Sequence, residues 1–280
     1  MWIDSHAHLT ATEFDDDREA VMARAAAAGV SAFVAIGSGY GIEHTGRAAA
    51  LAAGDGRVFA TVGVHPHDAS LLDDAGRRSL EDLATLPRVV AVGECGLDYH
   101  YLRSPRETQR AVFAEQVALA RRRGLPVSIH VRGDGPDAYE ELLDIWRTEG
   151  GGDLEGVLHC YTGGLDFARR ALGHGLYVSF SGILTFKKDR GLRDVAAALP
   201  LDRLLVETDA PLLAPEGFRG RRNEPVHVVR VGEVLAGLHR RSPEEIARIT
   251  ARNARALFRL DVAAPAAGAP PARETGARLA

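Results

Sequence analysis

A closed (β/α)8 barrel of the TIM type is the fold class the sequence predicts, and three observations predict it. Eight short apolar, β-branched runs recur along the chain, helix-like segments separate them, and runs such as SAFVAIG and VVAVG are apolar almost throughout rather than alternating. A strand that is apolar on both faces has to be covered on both, which is the condition of a parallel sheet wrapped by helices. An open doubly wound sheet would satisfy the same condition. Its usual sign is a GxGxxG turn after the first strand, whereas here the first run ends in His-Ala-His and the GSGYG after the second run lacks the spacing.

Taken in order, the strands are expected near 1–8, 30–37, 58–65, 89–94, 126–132, 156–161, 176–182 and 204–209. Between them lie segment 12–28 with acidic residues early, the alanine-rich 42–53, an arginine-rich 106–123 closed by Gly124, and 136–149 started by Pro136. A long loop, 210–224, follows the eighth strand and leads to helices near 226–240 and 243–258. One barrel domain over 1–262 is therefore expected. The remaining 263–280, AAPAAGAPPARETGARLA, has no apolar periodicity and reads as a disordered tail.

Composition narrows the function classes. With 280 residues, 46% of them hydrophobic, the chain can bury one large core, and a formal charge of -4 provides no global basic field for coating nucleic acid. A local cluster, Arg219, Arg221 and Arg222, could still hold phosphates. The two cysteines, the lack of a basic leader before an apolar stretch and the lack of a bilayer-length apolar run predict a cytoplasmic protein without a membrane partner.

In such a barrel the chemistry sits at the carboxyl ends of the strands. His6 and His8, two apart on an extended chain, project to one side. The third strand offers His65, the fourth Glu94, the fifth His130 and Arg132, the sixth His159, and the eighth Glu207 and Asp209. A histidine ending a strand is commonly a structural residue, and HxH alone is weak. The force lies in convergence, since His6, His8, Glu94, His130, His159 and Asp209 form a set of N and O donors suited to Zn²⁺, Mn²⁺ or Mg²⁺. Glu94 in an otherwise apolar, glycine-rich stretch would be costly to desolvate without a cation, or else would pair with Arg132. Arg132 is expected to reach an anion at the site or to pair with Asp134 or Glu94, and His65 to touch substrate or to bond a ligand carboxylate. Cys95 and Cys160 should point into the helix layer, and His67 should be a surface or structural residue.

The motifs MWIDSHAHL, GVHPH, GECGLDYH, HVR, HCYTGG, SFSGILTFK, ETDAPLLAP and RGRRNEP, in that order, resemble the TatD family of metal-dependent deoxyribonucleases from Met1 to about Leu260. The resemblance implies two divalent ions, with His6, His8 and Asp209 on one, His130 and His159 on the other and Glu94 bridging. It also implies catalytic roles for Glu94 and Asp209 in phosphodiester hydrolysis, commonly 3′ to 5′ on DNA, single-stranded or at 3′ ends. His65, Arg132, Arg219 and Arg221 are the candidate substrate contacts, and a monomer or weak oligomer is expected. Three departures from the family pattern stand out: Cys95 replaces a hydrophobic residue, Lys188 an asparagine, and Gly217-Phe218 a proline-histidine pair. Two other readings stand beside this one, an ester hydrolase of the same fold such as a D-aminoacyl-tRNA deacylase, and a non-catalytic scaffold with a structural metal.

Overall fold

The computed structural model describes residues 1–188 and 190–262, so the tail expected over 263–280 lies outside the described residues. Eight strands form one sheet in sequential order, every neighbouring pair parallel. They are β1 (Trp2–Ala7), β2 (Val30–Ala35), β3 (Val58–Val62), β4 (Val89–Asp98), β5 (Val127–Arg132), β6 (Gly156–Leu158), β7 (Leu176–Phe180) and β8 (Leu204–Val206). The crossovers are α1 (Arg18–Ala27), α2 (His44–Gly54), α3 (Asp74–Leu83), α4 (Arg106–Arg123), α5 (Asp137–Glu149), α6 (Leu165–Leu172) and α7 (Arg190–Ala198), and α8 (Val228–His239) with α9 (Pro243–Phe258) finish the helical wrap. The expected barrel is the one formed.

Closure falls between β1 and β8. His8 N–H donates to Ala210 O at 2.8 Å and Asp209 N–H to His6 O at 2.9 Å. Deeper in, the Asp4 carboxylate accepts from Thr208 N (3.0 Å) and Oγ1 (2.6 Å), and Ser5 Oγ donates to Val206 O. Asp4 is fully buried, and that burial, against the bonds from Thr208, pushes its carboxyl up to about 8.

Several boundaries differ from those expected, each for a local reason. The third, sixth and eighth strands stop short of His65, His159 and Asp209, which therefore sit on the loops just past the sheet. Pro66, which has no N–H for a ladder, opens a 3-10 turn over Pro66–Leu71, and Cys160 and Asp209 take positive φ (43° and 58°), bending the chain out of extended form. The fourth strand runs four residues further than the expected end at 94, to Asp98, because β5 stays paired with it as far as Asp98↔Arg132. That pairing skips Glu94: Gly93 faces Ser128 and Cys95 faces Ile129, so Glu94 is the extra residue of a bulge. Past the bulge, Gly96 lies so close to β5 at φ +143° that a Cβ there would come within 1.9 Å of His130 O, which only glycine avoids. The expected long helix 12–28 is a 3-10 turn at Thr12–Phe14 followed by α1.

The apolar layer between strands and helices contains Phe33, Phe113, Ile129, Leu142 and Phe180, all fully buried. Trp2 of β1 lies against α8, where Gly232 leaves room for its indole. Among the described residues no helix is long and apolar enough to cross a membrane. A Cβ at Gly232 would sit 2.1 Å from Trp2 Cζ3 and Cη2. Gly232→Ala should therefore cost about 1–3 kcal/mol through overpacking, lowering the melting temperature by roughly 2–4 °C per kcal/mol in a thermal unfolding scan.

Candidate metal centre

The bulge at Glu94 turns a carboxylate, only 3% exposed, into the mouth of the barrel among five imidazoles. Its two oxygens divide them. Oε2 faces His6 Nε2 (3.5 Å) and His8 Nε2 (3.8 Å), while Oε1 faces His159 Nε2 (2.7 Å), His130 Nδ1 (3.0 Å) and His65 Nε2 (3.4 Å). Asp209 joins the first side, its Oδ1 3.3 Å from His8 Nε2 and 3.5 Å from His6 Nε2. The backbone at positive φ is what points it there, a conformation aspartate tolerates better than most side chains. The six residues expected to meet thus come together from β1, β4 and β5 and from the turns just past β1, β6 and β8.

The outer hydrogen bonds fix how each ring presents itself. Glu207 Oε1 lies 3.2 Å from His159 Nδ1 and also accepts the Cys160 N–H at 2.6 Å, which fixes a proton on Nδ1 and leaves Nε2, facing Glu94, as the position that takes either a second proton or a cation. Asp98 Oδ2 lies 3.1 Å from His130 Nε2 and fixes a proton there, so Nδ1 of that ring is the nitrogen that faces the same Glu94 oxygen. His65 Nδ1 accepts from His67 N–H at 3.1 Å, leaving its Nε2–H to donate toward Glu94. Of the two roles expected of His65, this geometry favours bonding the ligand carboxylate.

Two lone pairs pressed against one carboxylate oxygen repel unless a positive charge lies between them. Burial opposes charging His159, yet Glu94 and Glu207 hold its pKa well above the usual histidine range. Burial likewise opposes ionising Glu94, and the imidazoles of His159, His65 and His130 hold it well below the carboxylate range. His65 departs the other way. Burial, despite Glu94, brings it down to about 4, so it stays neutral. His6 Nε2 is buried with no hydrogen-bond partner although two carboxylates face it, and His6 stacks on His159 at 3.8 Å between centroids. A cluster that calls for positive charge at both oxygens of Glu94 fits divalent cations. Donor atoms of His6, His8 and Asp209 lie within 4.8 Å of one another, as do those of His6, Glu94 and His159. His65, Glu94 and His130 also meet that limit, but the His65 proton faces inward and makes it a donor there.

Other placements differ from expectation. Arg132 is exposed and pairs with neither Glu94 nor Asp134. Its guanidinium lies 4.8 Å from the Tyr101 ring, and Asp134 is taken by His100 at 2.6 Å. Arg219 sits over Phe186 at 4.7 Å, and Arg221 is exposed. Arg222 is not free for phosphate, because it binds Asp17 through both guanidinium nitrogens and reaches Glu224. Cys95 packs in the core as expected. Cys160 does not: its backbone turn leaves Sγ 3.0 Å from Ser181 Oγ, beside the site rather than in the helix layer. Of the two roles expected of His67, surface or structural, the contact of its Nε2 with Asp98 Oδ2 at 3.0 Å is the structural one. Phe218 packs at a tilt of 39° against His227, 4.2 Å between centroids.

Asp98 is the residue sequence reasoning missed. Fully buried, it holds His130 and His67 and accepts the N–H groups of His100 and Tyr101. Its signal was the alternation of Glu94, Gly96 and Asp98, which carries weight only if the strand continues past 94.

A parallel eight-stranded barrel whose mouth gathers imidazoles and carboxylates in this way defines a metal-dependent hydrolase. Within that class the chain belongs to the TatD-related DNase family, whose model matches residues 3–259. It is 40% identical to the uncharacterized metal-dependent hydrolase YabD of Bacillus subtilis, over 93% of this chain and 100% of that protein. It is 37% identical to the 3′-5′ ssDNA/RNA exonuclease TatD of Enterobacter lignolyticus, over 90% of this chain and 96% of that one. The crystal structure of YJJV, a TatD homologue from Escherichia coli K12, superposes with a TM-score of 0.85 at 33% identity, covering 92% of this chain and 98% of that one.

Glu207 supports the centre without reaching Glu94 and so tests the tautomer argument. Glu207→Gln should weaken divalent-ion binding by roughly 10- to 100-fold in a calorimetric titration while the fold, read by circular dichroism, persists.

Proposed function

We propose that the chain is a two-metal phosphodiesterase that removes nucleotides from the 3′ end of single-stranded DNA. The observation that carries this reading is the division of Glu94, one oxygen toward His6 and His8 beside Asp209, the other toward His130 and His159. On this reading His6, His8 and Asp209 would hold one ion and His130 and His159 the other, with Glu94 shared. The name of the Enterobacter lignolyticus relative supports the substrate class. The two unpaired thiols, Cys95 and Cys160, accord with a reducing cytoplasm.

When bound, two such ions would lower the pKa of a water at the site and offset the charge building on the phosphoryl oxygens. The protein supplies the remainder. Asp209, kept ionised against the cost of burial by its contacts with His8 and His6, takes the proton of the attacking water. The oxygen of that water bonds to phosphorus, the bond to the 3′ oxygen of the upstream nucleotide breaks, and that oxygen takes up a proton from solvent, to which Asp209 returns the one it accepted. Glu94, buried and anionic, keeps the two donor sets in register, and the Nε2–H of His65 steadies it. Arg132, Arg219 and Arg221 lie exposed on loops and strand ends beyond the sheet and hold the phosphates of the strand.

Glu94→Ala should abolish turnover of an end-labelled single-stranded oligonucleotide and lower the metal content measured on the purified protein. Full activity in that variant would refute the scheme. Arg219→Ala and Arg221→Ala should each raise KM more than they lower kcat, since uniform binding is what they provide. Stepwise shortening from the labelled strand's 3′ end, lost on chelation and restored by Mn²⁺, Mg²⁺ or Zn²⁺, is the expected pattern; hydrolysis of an aminoacyl-tRNA ester but of no oligonucleotide would overturn it.

A further inference from the structure

The rim beside β4 and β5 carries an exposed aromatic ring, Tyr101, to which the hydrolytic scheme gives no part. Asp98 Oδ1 accepts the N–H groups of His100 (3.0 Å) and Tyr101 (2.8 Å), so the chain turns over that carboxylate and presents Tyr101, 51% exposed. The same carboxylate holds His130 and His67. One buried group thus fixes the position of the exposed ring relative to the centre. His67 and His100 meet the ring nearly at right angles, with centroids 5.6 Å and 4.7 Å away. Two guanidiniums lie against it, Arg132 at 4.8 Å and Arg103 at 5.8 Å from the ring centroid. Both arginines are exposed; Arg103 acts on Asp68 electrostatically, and neither forms a salt bridge among the described residues.

A single exposed aromatic residue is ordinary on a protein surface. What is unusual here is the combination: a ring braced by two imidazoles, anchored through its own backbone to the carboxylate that orients His130, and flanked by two exposed cations, neither of them held in a salt bridge among the described residues. A π face offers a surface to any flat base, and unpaired guanidiniums offer bidentate partners to phosphate. We propose that Tyr101 receives an unpaired nucleobase of the substrate strand by stacking, with Arg103 and Arg132 holding the phosphates beside it. The proposal rests on the nuclease reading and gives it a selectivity device. A base already stacked and paired inside a duplex cannot reach the ring, whereas a base of a single strand can.

The test couples a change in the protein to a change in the substrate. Oligonucleotides carrying one abasic nucleotide at each of the three 3′-terminal positions in turn are compared with the intact strand, using the metal-loaded protein and reading kcat/KM. At one position, loss of the base should cost the natural protein roughly 10- to 100-fold. Tyr101→Ala should lose about as much on the intact strand and nothing further on that abasic strand, while Tyr101→Phe keeps the natural pattern. Equal loss by Tyr101→Ala on intact and abasic strands alike would show a merely structural role and overturn the proposal. Unchanged turnover of the intact strand by Tyr101→Ala would overturn it as well. Failure of the natural protein to shorten any of the oligonucleotides would instead overturn the nuclease reading, and this proposal with it.

Discussion

The molecule is organised around a carboxylate buried where no carboxylate would settle by itself. Glu94 is 3% exposed, and its cost of desolvation is met by imidazoles brought from four other strands or their ends. The arrangement is not self-sufficient, because Glu207 and Asp98 accept hydrogen bonds from His159 and His130 on the far sides of the rings and leave the nitrogens facing Glu94 in need of a proton or a cation. Positive charge is therefore built into the demands of the site before any substrate is considered. Exposed donors would have relaxed outward into water; buried ones cannot.

The backbone makes the corresponding concession. Glu94 is the unpaired residue of a β-bulge, Gly96 approaches β5 more closely than any side chain permits, and Cys160 and Asp209 adopt positive φ just past their strands. Each departure from regular geometry falls at the barrel mouth, where it aims a functional side chain or its neighbour. The opposite trend holds in the layer between strands and helices, where Phe33, Phe113 and Phe180 are fully buried in an ordinary apolar packing.

The barrel was legible in the sequence because a strand apolar on both faces leaves few alternatives. The convergence of His6, His8, Glu94, His130, His159 and Asp209 was legible too, since each stands at the end of such a run. Asp98 was not, because the length of β4 is set by its pairing with β5, a property of two distant segments jointly. His67 went with it: beyond Pro66 it looked detached, and only the position of Asp98 gives it a partner. Arg222 looked like part of a basic cluster, whereas Asp17, far away in the chain, claims it. The short helices α3, α6 and α7 were not placed from the sequence although each segregates apolar from polar residues by face; at eight to ten residues they offer only two or three turns of that pattern.

The seam of the barrel carries a further implication. The first donor set spans the joint between the opening and closing strands, with His6 and His8 on one lip and Asp209 on the other, stitched by main-chain bonds from His8 to Ala210 and from Asp209 to His6. During synthesis, a ribosome must release nearly the entire barrel before this half of the centre can exist. An ion seated there would act as a rivet across the joint, coupling occupancy of the pocket to the integrity of the whole cylinder.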